Sequence, residues 1–555
     1  MTDLAHPAWV YLAGALLAAV VPRRGRVPLL LAVPGAALAL GLWLPEGRET
    51  AARFLGQEVV LLRADRLSLV FGTVFVIMGL LGTVFALHVR ERGPHVAAFA
   101  YVGSALGVVF AGDLLTLFVF WELMSVSSAF LILQRRTAKA LAAGFRYLMV
   151  HAFGGACLLA GLLLRAAAGE GLRFEAMALT GATALILLGF AVNAAIPPLS
   201  AWLTDAYPEG TVTGSVFLSA FTTKAAVYAL ARGFPGVELL VWAGAVMALY
   251  GVVFAVLEND IRRLLAYHIV SQVGYMVTGV GLGTALAISG TAAHAFSHIL
   301  YKGLLFMATG AVLHVTGRSK LTELGGLWRG MPVTLVLYTV GAFSISGVPL
   351  FNGFVSKSLV VAAAEAEHRA AVEWMLAMAS VGTFLHTGLK LPFFTFFAAD
   401  RGVHRREPPG NMLLAMGLAA VLCVGIGVAP GFLYRILPFP VAYEPYTAPH
   451  VVTTLQLLLG TGVGFMLLVR HLGGEPTVTL DTDWVYRRGG RLLLGFCQAW
   501  VRASARGTAA LAQGIGRLRA EAGLGPGGAA GRGALPVGYW VVISLGLLGL
   551  LILAL

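Results

Sequence analysis

Apolar runs long enough to cross a bilayer recur along almost the whole chain, and this recurrence limits what it can fold into. About sixteen are present, near residues 8–22, 27–45, 67–89, 95–111, 113–133, 145–166, 179–205, 211–232, 238–257, 261–282, 285–316, 331–362, 373–399, 411–434, 450–470 and 537–555. Roughly twenty apolar residues span the hydrocarbon core as a helix. Inside that core each backbone polar group must be satisfied within the protein, which leaves helices or closed barrels. Runs of this length, without period-two alternation, read as helices. Charged residues make up only 12% of the chain and hydrophobic residues 58%, whereas soluble proteins carry about a quarter charged residues. The expected class is an all-α polytopic membrane protein. The run from Ala8 to Val21 lacks the flanks and cleavage pattern of a signal peptide and reads as a retained first span.

The connecting loops test this count. Arg23, Arg24 and Arg26, Arg90 and Arg92, Arg135, Arg136, Lys139 and Arg146, Arg262 and Arg263, Arg318, Lys320 and Arg329, and Arg401, Arg405 and Arg406 all fall in alternate loops. The intervening loops hold nine cations in all. Such an asymmetry follows the positive-inside rule and predicts an outside N-terminus. The net charge of +13 is therefore read as membrane-surface charge, and no nucleic-acid partner is expected. Cys157, Cys423 and Cys497 are far apart and suggest neither disulfide nor metal.

Lysine is placed differently from arginine. Of six lysines, Lys139 and Lys320 lie in loops, and Lys224, Lys302, Lys357 and Lys390 lie inside predicted spans. Arginine stays charged, but a desolvated lysine can give up its proton. His294, His298 and Lys302 are spaced i, i+4, i+8, so on a helix they share one face and climb about 12 Å. Ionisable groups at membrane depth are functional by default; the competing reading is a polar stripe that joins helices. Glu122 is the one carboxylate well inside a span, and an ion pair with a buried lysine is expected for it. Asp113 opens the same span and reads as interfacial.

Two spans are interrupted, one at Pro197-Pro198 and one around Pro349. Proline breaks a helix, and broken helices at membrane depth mark transport sites that often occupy matching places in two repeats. The expected organisation is N-terminal helices over 1–94, a first five-helix repeat over 95–232, a second over 233–400 and peripheral helices over 401–471. A basic amphipathic helix and Gly-rich linker follow over 472–536, then a final span over 537–555. Arg487, Arg488, Arg491, Arg502, Arg506, Arg517 and Arg519 among Leu, Phe and Trp suggest a helix lying on the membrane surface; a partner-binding helix is the alternative. No phosphate-binding glycine loop, metal-ligand cluster or nucleophile–base pair is found, so no cofactor, metal or intrinsic catalysis is expected.

Phe120-Trp121-Glu122-Leu123-Met124, Ala201-Trp202-Leu203-Thr204-Asp205-Ala206, the His294/His298/Lys302 row and Gly353-Phe354-Val355-Ser356-Lys357 occur in a familiar order. Together they resemble the antiporter-like membrane subunits of respiratory complex I, of membrane-bound hydrogenases and of Mrp-type cation/proton antiporters, most of all the Mrp D-type subunit. The resemblance covers roughly residues 65–400. It implies a fourteen-helix core, two inverted five-helix repeats, and broken seventh and twelfth helices. It also implies that Glu122 is the acid of the first half-channel, Lys224 a relay group, His294, His298 and Lys302 the relay between halves, and Lys357 the group exchanging protons toward one side. Lys390 is added from its position. One departure stands out: where the family usually has a seventh-helix lysine beside the break, this chain has Asn193, so that either Lys224 takes over as partner of Glu122, the favoured option, or water bridges the gap, or the first half no longer conducts.

The resulting reading is a proton-translocating subunit of a multi-subunit complex, with Na⁺/H⁺ antiport one form of it, in a bacterial or archaeal cytoplasmic membrane. Its expected partners are other membrane subunits, lipid, protons and Na⁺. The alternatives are a membrane energy-coupling subunit of an inorganic-carbon uptake system and a non-conducting structural subunit of the same fold.

Overall fold

The computed structural model describes residues 6–54, 57–473, 475 and 481–521. The chain divides into two units, one ending at Asp483 and one beginning at Trp484. Among the described residues, ten segments are long and apolar enough to cross a bilayer.

The first unit opens with α1 (Pro7–Val20) and α2 (Arg23–Trp43). An antiparallel hairpin follows, β1 (Glu49–Phe54) paired with β2 (Gln57–Arg63). This hairpin is absent from the all-helical expectation. It buries Val59, Val60 and Leu62 and is tied to the next helices through Asp113. That carboxylate accepts from Val60 N at 2.6 Å and from Thr116 N at 2.8 Å. Asp113 is thus a buried N-cap, satisfying one of the orphan donors of the helix it opens.

Next come α3 (Arg66–Ala86), α4 (Gly93–Phe110), α5 (Leu114–Leu133) and α6 (Ala138–Ala167). Thr137 caps α6 by accepting from Ala140 N at 3.1 Å, so the helix starts at Ala138 rather than near 145. Lys139 and Arg146 are therefore helical, not in a loop. Arg146 pairs with Asp205 at 2.6 Å, and Arg135 with Glu209 at 3.2 Å. The segment carrying Asp205 and Glu209, which has no Lys or Arg of its own, is thus paired with arginines of its neighbours.

The seventh span is split as expected: α7 (Gly181–Asn193) ends at the Pro197-Pro198 break and a short α8 (Ala201–Ala206) follows. The eighth span, expected to be continuous over 211–232, is interrupted at Phe221 between α9 (Val212–Ala220) and α10 (Thr222–Gly233). Then α11 (Glu238–Leu257) and α12 (Ile261–Leu282) pack backbone to backbone. A Cβ at Gly274 would run into Ala248 N, and one at Gly251 into Ser271 N; small residues are what let membrane helices approach this closely.

The unbroken α13 (Ala285–Thr316) carries the His/Lys row and packs against α3, α9, α12, α14, α15 and α17. The twelfth span is split into α14 (Pro332–Ser346) and α15 (Asn352–Ala366), with Gly347 and Leu350 at positive φ around Pro349. The thirteenth, also expected to be continuous over 373–399, is not a regular helix. After α16 (Ala370–Thr383) it widens to π pitch over Phe384–Lys390 and again over Phe393–Phe397. The unit is completed by α17 (Gly410–Val428), α18 (Gly431–Tyr434) and α19 (Ala448–Leu468).

Hydrogen bonds sort the loops into two ends. At one end Gly112 N meets Val60 O, Leu114 N meets Leu172 O, Met177 N meets Gly233 O, and Gly236 N meets Val280 O. At the other, Arg26 reaches Arg90 O, Arg135 and Arg262 both reach Pro208 O, and Asp260 bridges to Lys320. The loops alternate between these ends along the chain, and the second end gathers the arginine-rich loops.

The second unit contains all of α20 (Asp483–Glu521) but its first residue. Arg487, Arg488, Arg491, Arg502 and Arg506 are exposed on it, as are Leu492, Phe496 and Trp500 at four-residue spacing. That spacing lines the three apolar residues along one face. The Gly-rich linker and the span expected over 537–555 lie outside the described residues.

Candidate functional site

All four lysines of the predicted spans are buried, with Lys357 the most exposed at 8%. Three of them end on backbone carbonyls at helix termini. Lys224 Nζ donates to Ser219 O at 2.7 Å, one residue before the end of α9, and to Thr223 Oγ1 at 3.1 Å. Lys357 Nζ donates to Ser346 O, the last carbonyl of α14, at 3.4 Å and to Ser380 Oγ at 2.7 Å. Lys390 Nζ donates to Val256 O at 2.5 Å and Glu258 O at 3.0 Å, at the end of α11. The C-terminus of a helix presents unpaired carbonyls and about half a negative charge. In each case an ammonium occupies it.

Local geometry makes room for this. Gly347 has φ +75° and closes α14 in the left-handed conformation that glycine favours. A Cβ there would lie 3.2 Å from both Cε and Nζ of Lys357.

The α13 row is placed differently. His294 Nδ1 lies 3.4 Å from Ser356 Oγ, and its Nε2 has no hydrogen-bond partner. Both ring nitrogens of His298 and the Nζ of Lys302 also have none, although all three residues are fully buried. Tyr275 and Tyr301 flank the row, with ring centroids 5.7 Å from His294 and 5.3 Å from His298 respectively. Buried polar groups are normally satisfied by protein or by water, so a cluster of four orphaned atoms is polar ground on which water can find partners.

The expected partnership of Glu122 with Lys224 is not formed. Glu122 is half-buried, beside the exposed Val119 and Leu123 of α5, and faces Gly155 of α6, where a Cβ would overlap its carboxylate. Its Oε1 has no hydrogen-bond partner, while the Lys224 ammonium is engaged by Ser219 and Thr223. Helix phase explains this: the side of α5 that carries Glu122 turns toward α6. Asn193 is fully buried with both amide atoms unpartnered. At this first break it is Trp202, donating from Nε1 to Val192 O at 2.9 Å, that serves the helix end. A neutral indole thus stands here where an ammonium serves the second break.

Sequence reasoning missed a buried cluster between α12 and the π-pitch segment. His268 Nε2 lies 3.1 Å from Thr383 Oγ1, and Thr387 Oγ1 lies 2.9 Å from His268 Nδ1 and 2.8 Å from His386 Nδ1. Both imidazoles are fully buried, with centroids 4.5 Å apart. The available signal was two further histidines inside predicted spans. No cluster of metal-binding residues occurs among the described residues.

These features describe a membrane protein of the antiporter-like class, and comparison with known proteins agrees. Residues 111–386 match the family described as "NADH:quinone oxidoreductase/Mrp antiporter, TM". The chain is 30% identical over 369 residues to the D-type subunit of the Na⁺/H⁺ antiporter of Alkalihalophilus pseudofirmus, covering 61% of this chain and 73% of that protein. It is 31% identical over 424 residues to the A/B-type subunit of a probable K⁺/H⁺ antiporter of Rhizobium meliloti, covering 70% of this chain but only 41% of that longer protein. Among solved structures, the Mrp complex from Dietzia sp. superposes with a TM-score of 0.71 at 24% identity, over 81% of this chain and 98% of the matched chain. The chain belongs to the NADH:quinone oxidoreductase/Mrp antiporter family and is a multi-pass membrane protein of that fold.

Proposed function

We propose that this chain is the proton-translocating membrane subunit of a multi-subunit cation/proton antiporter or respiratory complex. Its Arg-rich end faces the cytoplasm of a bacterial or archaeal cell, as the charge asymmetry between loops favours. Protons move along Lys224, the His294/His298/Lys302 row, Lys357 and Lys390, with Glu122 as the acid of the first half. The observation that supports the reading is the burial of four lysines and two histidines among the apolar helices, three of the lysines on the ends of helices.

The mechanism is electrostatic. Two charges about 8 Å apart at an effective dielectric near 20 interact by about 2 kcal/mol. That is about 1.5 pKa units, enough for protonation at one site to shift the next. Arginine could not serve, because it does not release its proton.

Complexes reconstituted in liposomes test this reading. Lys302→Ala should reduce cation-dependent proton flux at least tenfold without loss of assembly. Asn193→Lys, which restores a charge at the first break, should assemble and change the flux. A Lys302→Ala complex that pumps normally refutes the proposed path. Unaltered flux in both Glu122→Gln and Asn193→Lys would remove the first half from it.

A further inference from the structure

The cluster around Thr387 has a hydrogen-bond polarity that can be worked out from donor counts. Thr383 Oγ1 donates its single proton to Ala379 O at 2.8 Å. It can therefore only accept from His268, so His268 Nε2 carries a hydrogen. Neutral His268 then has a bare Nδ1, which must receive the Thr387 hydroxyl proton. With that proton committed, Thr387 Oγ1 accepts from His386, so His386 carries its hydrogen on Nδ1. The remaining atom, His386 Nε2, is a bare lone pair, fully buried and without a partner.

Two imidazoles oriented in series by one hydroxyl make a wire with a free basic end. The backbone supports this orientation. Leu391 N bonds His386 O five residues back rather than four, a π turn of the kind often found at functional sites. Tyr338 donates to Thr387 O at 2.7 Å and holds the wider turn. The charged or titratable groups acting on His268 include Lys302 and His298 of α13 and Lys357 of α15; those acting on His386 are Lys302 and Lys390. The cluster therefore lies under the influence of both the α13 row and the lysine at the Arg-rich end of α11.

We propose that His268 and His386, joined through Thr387, form a two-imidazole relay that carries protons between the α13 row and Lys390. The inference rests on the proton-translocation reading and adds residues to it. A proton arriving at His386 Nε2 makes an imidazolium. Its Nδ1 proton passes to Thr387 Oγ1 as the Thr387 hydroxyl proton passes to His268 Nδ1. His268 then carries the single added positive charge and His386 is neutral, with its hydrogen on Nε2. Release of one proton from His268 and return of both rings to their first tautomers resets the wire, with one proton in and one out.

The test uses the full chain in its complete complex, reconstituted in liposomes. Thr387→Val keeps the side-chain shape but removes the hydroxyl, and should lower proton flux at least tenfold. Thr387→Ser, which restores the hydroxyl, should recover at least half of it. Histidine-specific ¹⁵N labelling gives a second readout independent of transport: neutral His386 should carry its proton on Nδ1, identified by loss of its signals in His386→Asn. If Lys302→Ala abolishes flux while Thr387→Val and Thr387→Ser are equal, the relay is wrong and the main path stands. Flux indifferent to Lys302→Ala overturns both. A neutral His386 protonated on Nε2 overturns the relay whatever the flux.

Discussion

Gly347 offers a quantitative test of why the second break is built as it is. It ends α14 at φ +75°, and an added Cβ would lie 3.2 Å from the Lys357 Nζ. Gly317 ends α13 at φ +68°, where an added Cβ would meet nothing within 4 Å. Gly347→Ala and Gly317→Ala therefore carry the same backbone cost, about 1–2 kcal/mol for a left-handed alanine, and should lower thermal stability by similar amounts. Only the first also displaces an ammonium. Moving Nζ by a few tenths of an ångström weakens its bond to Ser380 Oγ, now 2.7 Å, and its longer reach to Ser346 O. A hydrogen bond to a charged group contributes about 1.5–3 kcal/mol, and each 1.4 kcal/mol is about a factor of ten in rate. Gly347→Ala should slow proton flux in reconstituted complexes about tenfold, whereas Gly317→Ala should stay within about twofold of the unaltered protein. Equal flux in the two variants, with both destabilised, would refute the idea that the glycine is there to seat the lysine.

Asp65→Asn should lower stability by about 1–2 kcal/mol, because the Arg232 guanidinium, 2.6 Å away and only 7% exposed, loses its charged partner. Burial pushes the Asp65 carboxyl up, but Arg232, the Ser68 amide and Arg63 outweigh it and hold it below the ordinary carboxylate value. Its contribution is then complete above the unfolded value of about 4 and fades as pH falls through the folded one. The stability gap to Asp65→Asn, followed by thermal unfolding, should therefore close in acid. Gly274→Val should separate α11 from α12 and abolish or severely reduce the yield of folded protein in detergent, since the added group meets backbone at Ala248. Lys390→Met should leave Val256 O and Glu258 O without their ammonium and reduce flux more than it reduces assembly, as measured by copurification of the complex.

Much of this molecule is legible in its sequence, for identifiable reasons. Twenty-residue apolar runs have one common solution in a bilayer, so the spans follow directly. The lysines are informative because they are few: four of six lie where lipid would exclude them, and all four are buried in the structure. Breaks at Pro197-Pro198 and Pro349 announce themselves through proline. The interruption at Phe221 does not, since Ser219-Ala220-Phe221-Thr222-Thr223 contains neither proline nor glycine. The widened turn at Phe384–Lys390 lies just before Pro392, which cannot donate to Gly388 O, and its Thr387 O accepts from Tyr338 of another helix; hydropathy alone reads the segment as one continuous span. The pairing imagined for Glu122 failed because composition cannot say which side of α5 meets which neighbour. His268 and His386 are visible as residues, but the hydroxyl that joins them is a property of two packed segments. The hairpin at Glu49–Arg63 is a loop by hydropathy and a sheet only once its strands meet.

The ammonium-capped helix ends couple two things that are usually separate. A carbonyl at an ordinary helix end is satisfied by an amide or a hydroxyl whose proton stays put. Here the groups that hold the ends of α9, α11 and α14 can change their charge. Each lysine that gives up a proton also loosens its grip on a terminus, so the seams of this bundle should tighten and slacken in step with its titration.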